Sequence, residues 1–195
     1  MSASSEEPIR IANCSGFFGD RLSAAKEMVY GGPIDALTGD WLAELTMLIL
    51  SRIQAKAPGG GYARTFVTQM EDVMGECLDR QIKVVTNAGG LNPEGCADAV
   101  QELADRLGLN PTIAYVAGDD LAPRLNDLME SGNDFAHLDT GEPLGDLAER
   151  IVTANAYIGC WGIVEALNQG ADIVVTGRAT DAAVVAGPAA WHHGW

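Results

Sequence analysis

Arg178 has the surroundings that an anion site requires. It lies in Thr176-Gly177-Arg178-Ala179-Thr180-Asp181, directly after the β-branched run Asp172–Val175. A guanidinium at the end of a buried strand can grip a carboxylate or phosphate at two points, and the glycine before it lets backbone approach the ligand. The competing reading is an Arg178–Asp181 ion pair, with Thr180 or Asp181 capping the next helix. A second turn, Asn87-Ala88-Gly89-Gly90-Leu91-Asn92-Pro93, offers paired glycines that can aim N–H groups at an anion, flanked by Asn87 and Asn92. It is neither a P-loop nor GxGxxG, and a tight turn needing glycine explains it equally well.

Ser15-Gly16-Phe17-Phe18-Gly19-Asp20 places a serine at the tip of the first apolar run. The three histidines, His137, His192 and His193, have no sequence relation to Ser15 or Cys14, and the GxSxG elbow is absent. Ser15 and Gly16 therefore read as binding residues rather than nucleophiles. Asp40, Asp119, Asp120 and Asp181 also fall at strand ends. Carboxylates gathered on one edge can move protons or hold Mg²⁺, whereas helix capping accounts for each one singly. Asp40 and Asp181 are the proton-transfer candidates, and no metal set is assigned. The cysteines and histidines lack zinc-type spacing.

The elements that must position these residues alternate. Strands are expected at 9–13, 34–37, 83–86, 112–116, 151–158 and 172–175. Helices are expected at 20–30, 41–55, 65–81, 93–107, 121–129, 162–168 and 181–191, with residues 131–143 as a loop over the sheet edge. In the 41–55 helix, Leu42, Leu45, Leu48, Ile49, Arg52 and Ile53 form the expected inner stripe. Alternation of this kind implies parallel strands with right-handed crossovers. The fold expected is a mostly parallel, Rossmann-like open α/β sheet with helices on both faces. Part of a β/α barrel is the alternative, and two helices between the second and third strands favour the open sheet. In either architecture the turns gather on one edge, where ligands bind.

The 195 residues suit a single domain behind a flexible leader of residues 1–8. The ending Trp191-His192-His193-Gly194-Trp195 resembles fold interior, so a longer parent protein is expected. Hydrophobic residues make up 47% and charged residues 20%, enough to build a core. The net charge of −15 disfavours nucleic acid and anionic membrane surfaces as partners, while one local arginine can still hold a small anion. No apolar run reaches membrane-spanning length, and 41–53 is broken by Glu44, Ser51 and Arg52. Four cysteines without pairing motifs predict a reducing, cytoplasmic setting.

Several blocks carry a family resemblance. They are 11–20, Asp35-Ala36-Leu37-Thr38-Gly39-Asp40-Trp41-Leu42-Ala43-Glu44, 85–93, Ala154-Asn155-Ala156-Tyr157-Ile158-Gly159, 170–178 and the closing 191–195. In this order they resemble the N-terminal part of the acyclic terpene utilisation family, AtuA type. Arg178-Ala179-Thr180-Asp181 is similar to the family's Arg-x-x-Asp block. The resemblance implies breakdown of acyclic terpenes such as citronellol and geraniol, beside acyl-CoA enzymes. The expected ligand is a branched acyl-CoA or related carboxylate, with CoA as a substrate moiety, handled by lyase, hydratase or hydrolase chemistry. The alternative is a non-catalytic subunit of an acyl-CoA enzyme. A homo-oligomer is a further expectation.

Overall fold

The computed structural model describes residues 7–195, so most of the expected leader lies outside the described residues. Five strands form one sheet: β1 (Ile11–Asn13), β2 (Ala36–Gly39), β3 (Lys83–Thr86), β4 (Ile113–Val116) and β5 (Ile173–Thr176). Every pairing is parallel and the spatial order is β1-β2-β3-β5-β4. β1 and β4 are the outer strands, so the sheet is open and the barrel alternative is set aside. Because all strands run the same way, the turns after Asn13, Gly39, Thr86, Val116 and Thr176 share one carboxyl edge.

The strands are short, β2, β3 and β5 are mostly buried while the outer β1 and β4 are partly exposed, and side chains of the inner strands alternate between two cores. Leu37, Val84, Ile173 and Val175 face one layer, packed with Val29, Phe66, Met70 and Val100. Val85 and Val174 face the other, with Ile163, Leu167, Ala183 and Val184. The first layer is built by α1 (Ala24–Gly31), α3 (Arg64–Asp79) and α4 (Pro93–Leu107). The second is built by α6 (Trp161–Asn168) and α7 (Ala183–His193). The short α5 (Leu125–Glu130) follows β4.

The remaining helix, α2 (Glu44–Lys56), corrects an expectation. Its buried residues are Thr46, Met47 and Leu50, whereas Leu45 is 68% exposed and Ile53 lies outside the core. The inner face is rotated because α2 does not lie flat on the sheet. It crosses the carboxyl edge, with Leu50 against Gly90 beyond β3 and Glu44 reaching Arg178 beyond β5. The expected strand over 151–158 is also absent. β5 is already flanked by β3 and β4, and this segment passes over the strand ends, touching them through single bridges, Asp120 to Asn155 and Ile158 to Ala179.

The Gly89-Gly90 turn is a packing joint. A Cβ on Gly89 would sit 2.5 Å from the Thr176 carbonyl oxygen and 2.7 Å from Pro93 Cα, both backbone atoms that cannot move alone. Gly89→Ala is expected to destabilise the fold by about 2 kcal/mol, read from urea unfolding midpoints. Unchanged stability would show that β3 and β5 exit with more room than the structure gives them.

Candidate functional site

Arg178 leaves β5, between β3 and the outer strand β4, at the carboxyl edge and is 4% exposed. Its backbone N–H donates to Asp119 Oδ2 at 2.7 Å. Its guanidinium stacks on the Tyr157 ring, 4.2 Å from the centroid. Nη1 donates to the Ala179 carbonyl at 3.2 Å and to Asp181 Oδ1 at 3.1 Å, and Nη2 donates to Glu44 Oε1 at 3.4 Å. The Tyr157 hydroxyl in turn donates to Glu44. The arginine is thus buried while both carboxylates that neutralise it face water, Glu44 at 77% and Asp181 at 71% side-chain exposure.

Asp119, immediately beyond β4, is the buried acid of this edge. Asn155 Nδ2 donates to its Oδ2 at 2.9 Å, on the same oxygen that takes the Arg178 amide. Its carbonyl accepts from Ala156 N–H at 2.7 Å. Gly177 packs so closely on the carboxylate that a Cβ would overlap it. Burial pushes the Asp119 carboxyl pKa up, opposed by the Arg178 and Asn155 bonds. Such a group holds a proton more readily than an ordinary aspartate.

The other predicted residues divide. Asn87 is fully buried, with Oδ1 accepting from Trp41 N–H at 2.7 Å and Nδ2 donating to Asp40 Oδ1 at 2.6 Å. Asp40 also accepts from Leu42 N–H. Asn92 caps α4 by accepting from Gly95 N–H at 2.9 Å and holds the Gly60 carbonyl at 3.1 Å. The N–H groups of Asn87, Gly90, Leu91 and Asn92 all donate to backbone carbonyls. Thr176 bonds its neighbour Gly177. Ser15 donates to the Phe17 carbonyl at 3.1 Å, and Gly16 N–H donates to Asp20, which holds the loop closed. Cys14 is buried and its thiol pKa is pushed to about 12 by desolvation, so it is protonated near neutral pH.

The structure therefore brings Arg178, Gly177 and Asp181 together and leaves Ser15, Gly16 and Asn92 in local turns. To the Arg178 group it joins Asp119, one of the expected strand-end carboxylates, and adds Glu44, Asn155 and Tyr157. Asn155 and Tyr157 stand two apart in the segment that crosses the edge, the first donating to Asp119 and the second stacking on Arg178. Among the described residues, no group of three or more His, Cys, Asp or Glu is arranged to hold a metal, and no helix is long and apolar enough to cross a membrane.

The protein is of the open parallel α/β class, and its strand-end loops meet around a buried arginine at the carboxyl edge, where proteins of this architecture hold their ligands. The chain belongs to the acyclic terpene utilisation family: the model of "Acyclic terpene utilisation family protein AtuA" matches residues 9–195. No curated protein and no solved structure matches it.

The raised Asp119 pKa has a defined consequence. The folded state takes up its proton at higher pH than the unfolded chain, so Asp119 destabilises the fold near neutrality, and this penalty is relieved as pH falls through the folded pKa. Wild-type stability, measured against Asp119→Asn, is expected to rise between about pH 7 and about pH 4. Asp119→Ala, which strands the Arg178 and Asn155 donors, is expected to lose about 2 kcal/mol or more. A flat difference between wild type and Asp119→Asn would show that Asp119 is solvated.

Proposed function

We propose that the protein acts on a branched, terpenoid acyl-CoA or related carboxylate during the breakdown of acyclic terpenes. Family membership supports the setting. The observation that carries the ligand class is Arg178: a buried cation at the sheet's carboxyl edge, stacked on Tyr157, whose charge partners are two exposed carboxylates. An incoming carboxylate or phosphate can replace Glu44 without leaving the guanidinium uncompensated. In a chain of net charge −15 such a cation is also the local exception that admits an anion.

Lyase, hydratase and hydrolase reactions on an acyl thioester each need a proton moved beside the carbonyl. Asp181 is our candidate for this role, supported by its contact with Arg178 and its exposure to solvent. Asp40 is held by Asn87 and the Leu42 amide and serves the turn. Asp119 keeps the arginine's backbone in place.

Calorimetric titration with terpenoid acyl-CoA thioesters tests this reading. Arg178→Ala is expected to weaken binding by about tenfold or more, and Arg178→Lys to restore little of it, because the two-point fork is lost. Equal affinity in Arg178→Ala would remove Arg178 from the site. Tight binding without turnover, with co-purification of an acyl-CoA enzyme, would favour a binding subunit over an enzyme.

A further inference from the structure

A separate cleft of about 590 Å³ opens between the loop after β1 and the α2–α3 connection. Phe18, Ile53, Ala57, Pro58 and Tyr62 give it carbon walls, and Arg64 is the single charged residue among those lining it. The volume falls in the range of small-molecule sites. Arg64 makes no ion pair among the described residues, although acidic side chains outnumber basic ones, 27 to 12. It is also the first residue of α3, a helix of 16 residues whose N-cap, Ala63, has no side-chain acceptor. With the Phe66 N–H donating to the Ala63 carbonyl and no side-chain cap, the start of α3 adds the positive end of its dipole beside Arg64. Thr65 also lines the cleft, with its hydroxyl shielded from solvent and so not offered to a ligand there.

We infer that this cleft binds an apolar, medium-length chain ending in a carboxylate, with the chain between Phe18, Ile53 and Tyr62 and the head group at Arg64 and the start of α3. Carbon walls exclude a polar body, because buried polar groups without partners are unfavourable. One exposed arginine beside one helix N-terminus matches a single negative charge. The site does not depend on Arg178, which belongs to the edge beyond β5.

Titration of the full chain with decanoate, decanol and decyltrimethylammonium tests this directly. Decanoate is expected to bind most tightly. Arg64→Ala, at an exposed position that leaves the core intact, is expected to weaken decanoate by about tenfold while leaving decanol unchanged. Ile53→Asp, which sets a like charge beside the chain, is expected to abolish binding, with circular dichroism confirming the fold. Arg178→Ala is expected to leave decanoate affinity unchanged, so failure here is distinguishable from failure at the Arg178 edge. Absence of decanoate binding, equal binding by Arg64→Ala, or decanol binding as tightly as decanoate would each overturn the inference.

Discussion

The carboxyl edge depends on one buried group, the Asp119 carboxylate. Removing a carboxylate from water is unfavourable unless donors replace the lost hydration. Here the donors are the Arg178 amide and the Asn155 side chain, both on Oδ2. Meeting that requirement fixes three pieces of chain at once: the exit of β4, the exit of β5 and the segment that crosses them. Gly177 follows from the same demand, because the carboxylate occupies the space a side chain would need. With its backbone held there, Arg178 turns its guanidinium towards Tyr157 and the start of α2.

Arg178 is then balanced between burial and access. Stacking on Tyr157 and bonding to Ala179 compensate part of its lost hydration, and Asp181 and Glu44 compensate the rest. Both carboxylates belong to exposed side chains, whose ion pairs are individually weak. A ligand anion competes with a pair of that kind far more easily than with a buried one. In a strongly acidic chain, a buried cation with exposed partners suits the acyl-CoA and carboxylate chemistry proposed for this family member. The α3 cleft adds an apolar surface on another side of the same edge.

Much of this was legible in residue patterns where local physics decides structure. Lys83–Thr86 and Pro93–Leu107 form the expected strand and helix, the latter capped by Asn92. The five polar turns do gather on one edge. Two elements were not legible, because tertiary position decides them. Residues 151–158 have strand-like apolar content, yet β5 has no free side for them, so they cross the edge. The face that α2 buries is set by Gly90 and Arg178, far away in sequence. Of the site, Arg178 and Asp181 were readable from their turn. Asp119 is legible only as one strand-end carboxylate among four, because its hold on Arg178 spans 59 positions, and Glu44 and Tyr157 are not legible, since their partners lie 134 and 113 positions away.

The central claim is that a ligand anion takes the place of Glu44 on Arg178. The affinity of Glu44→Gln for a geraniol-derived acyl-CoA thioester, compared with wild type, tests it most directly. Removing the competing charge should tighten binding by several-fold at low ionic strength, an advantage that fades as salt is raised. Weaker binding in Glu44→Gln would contradict the account, because Glu44 would then be holding the ligand rather than its place.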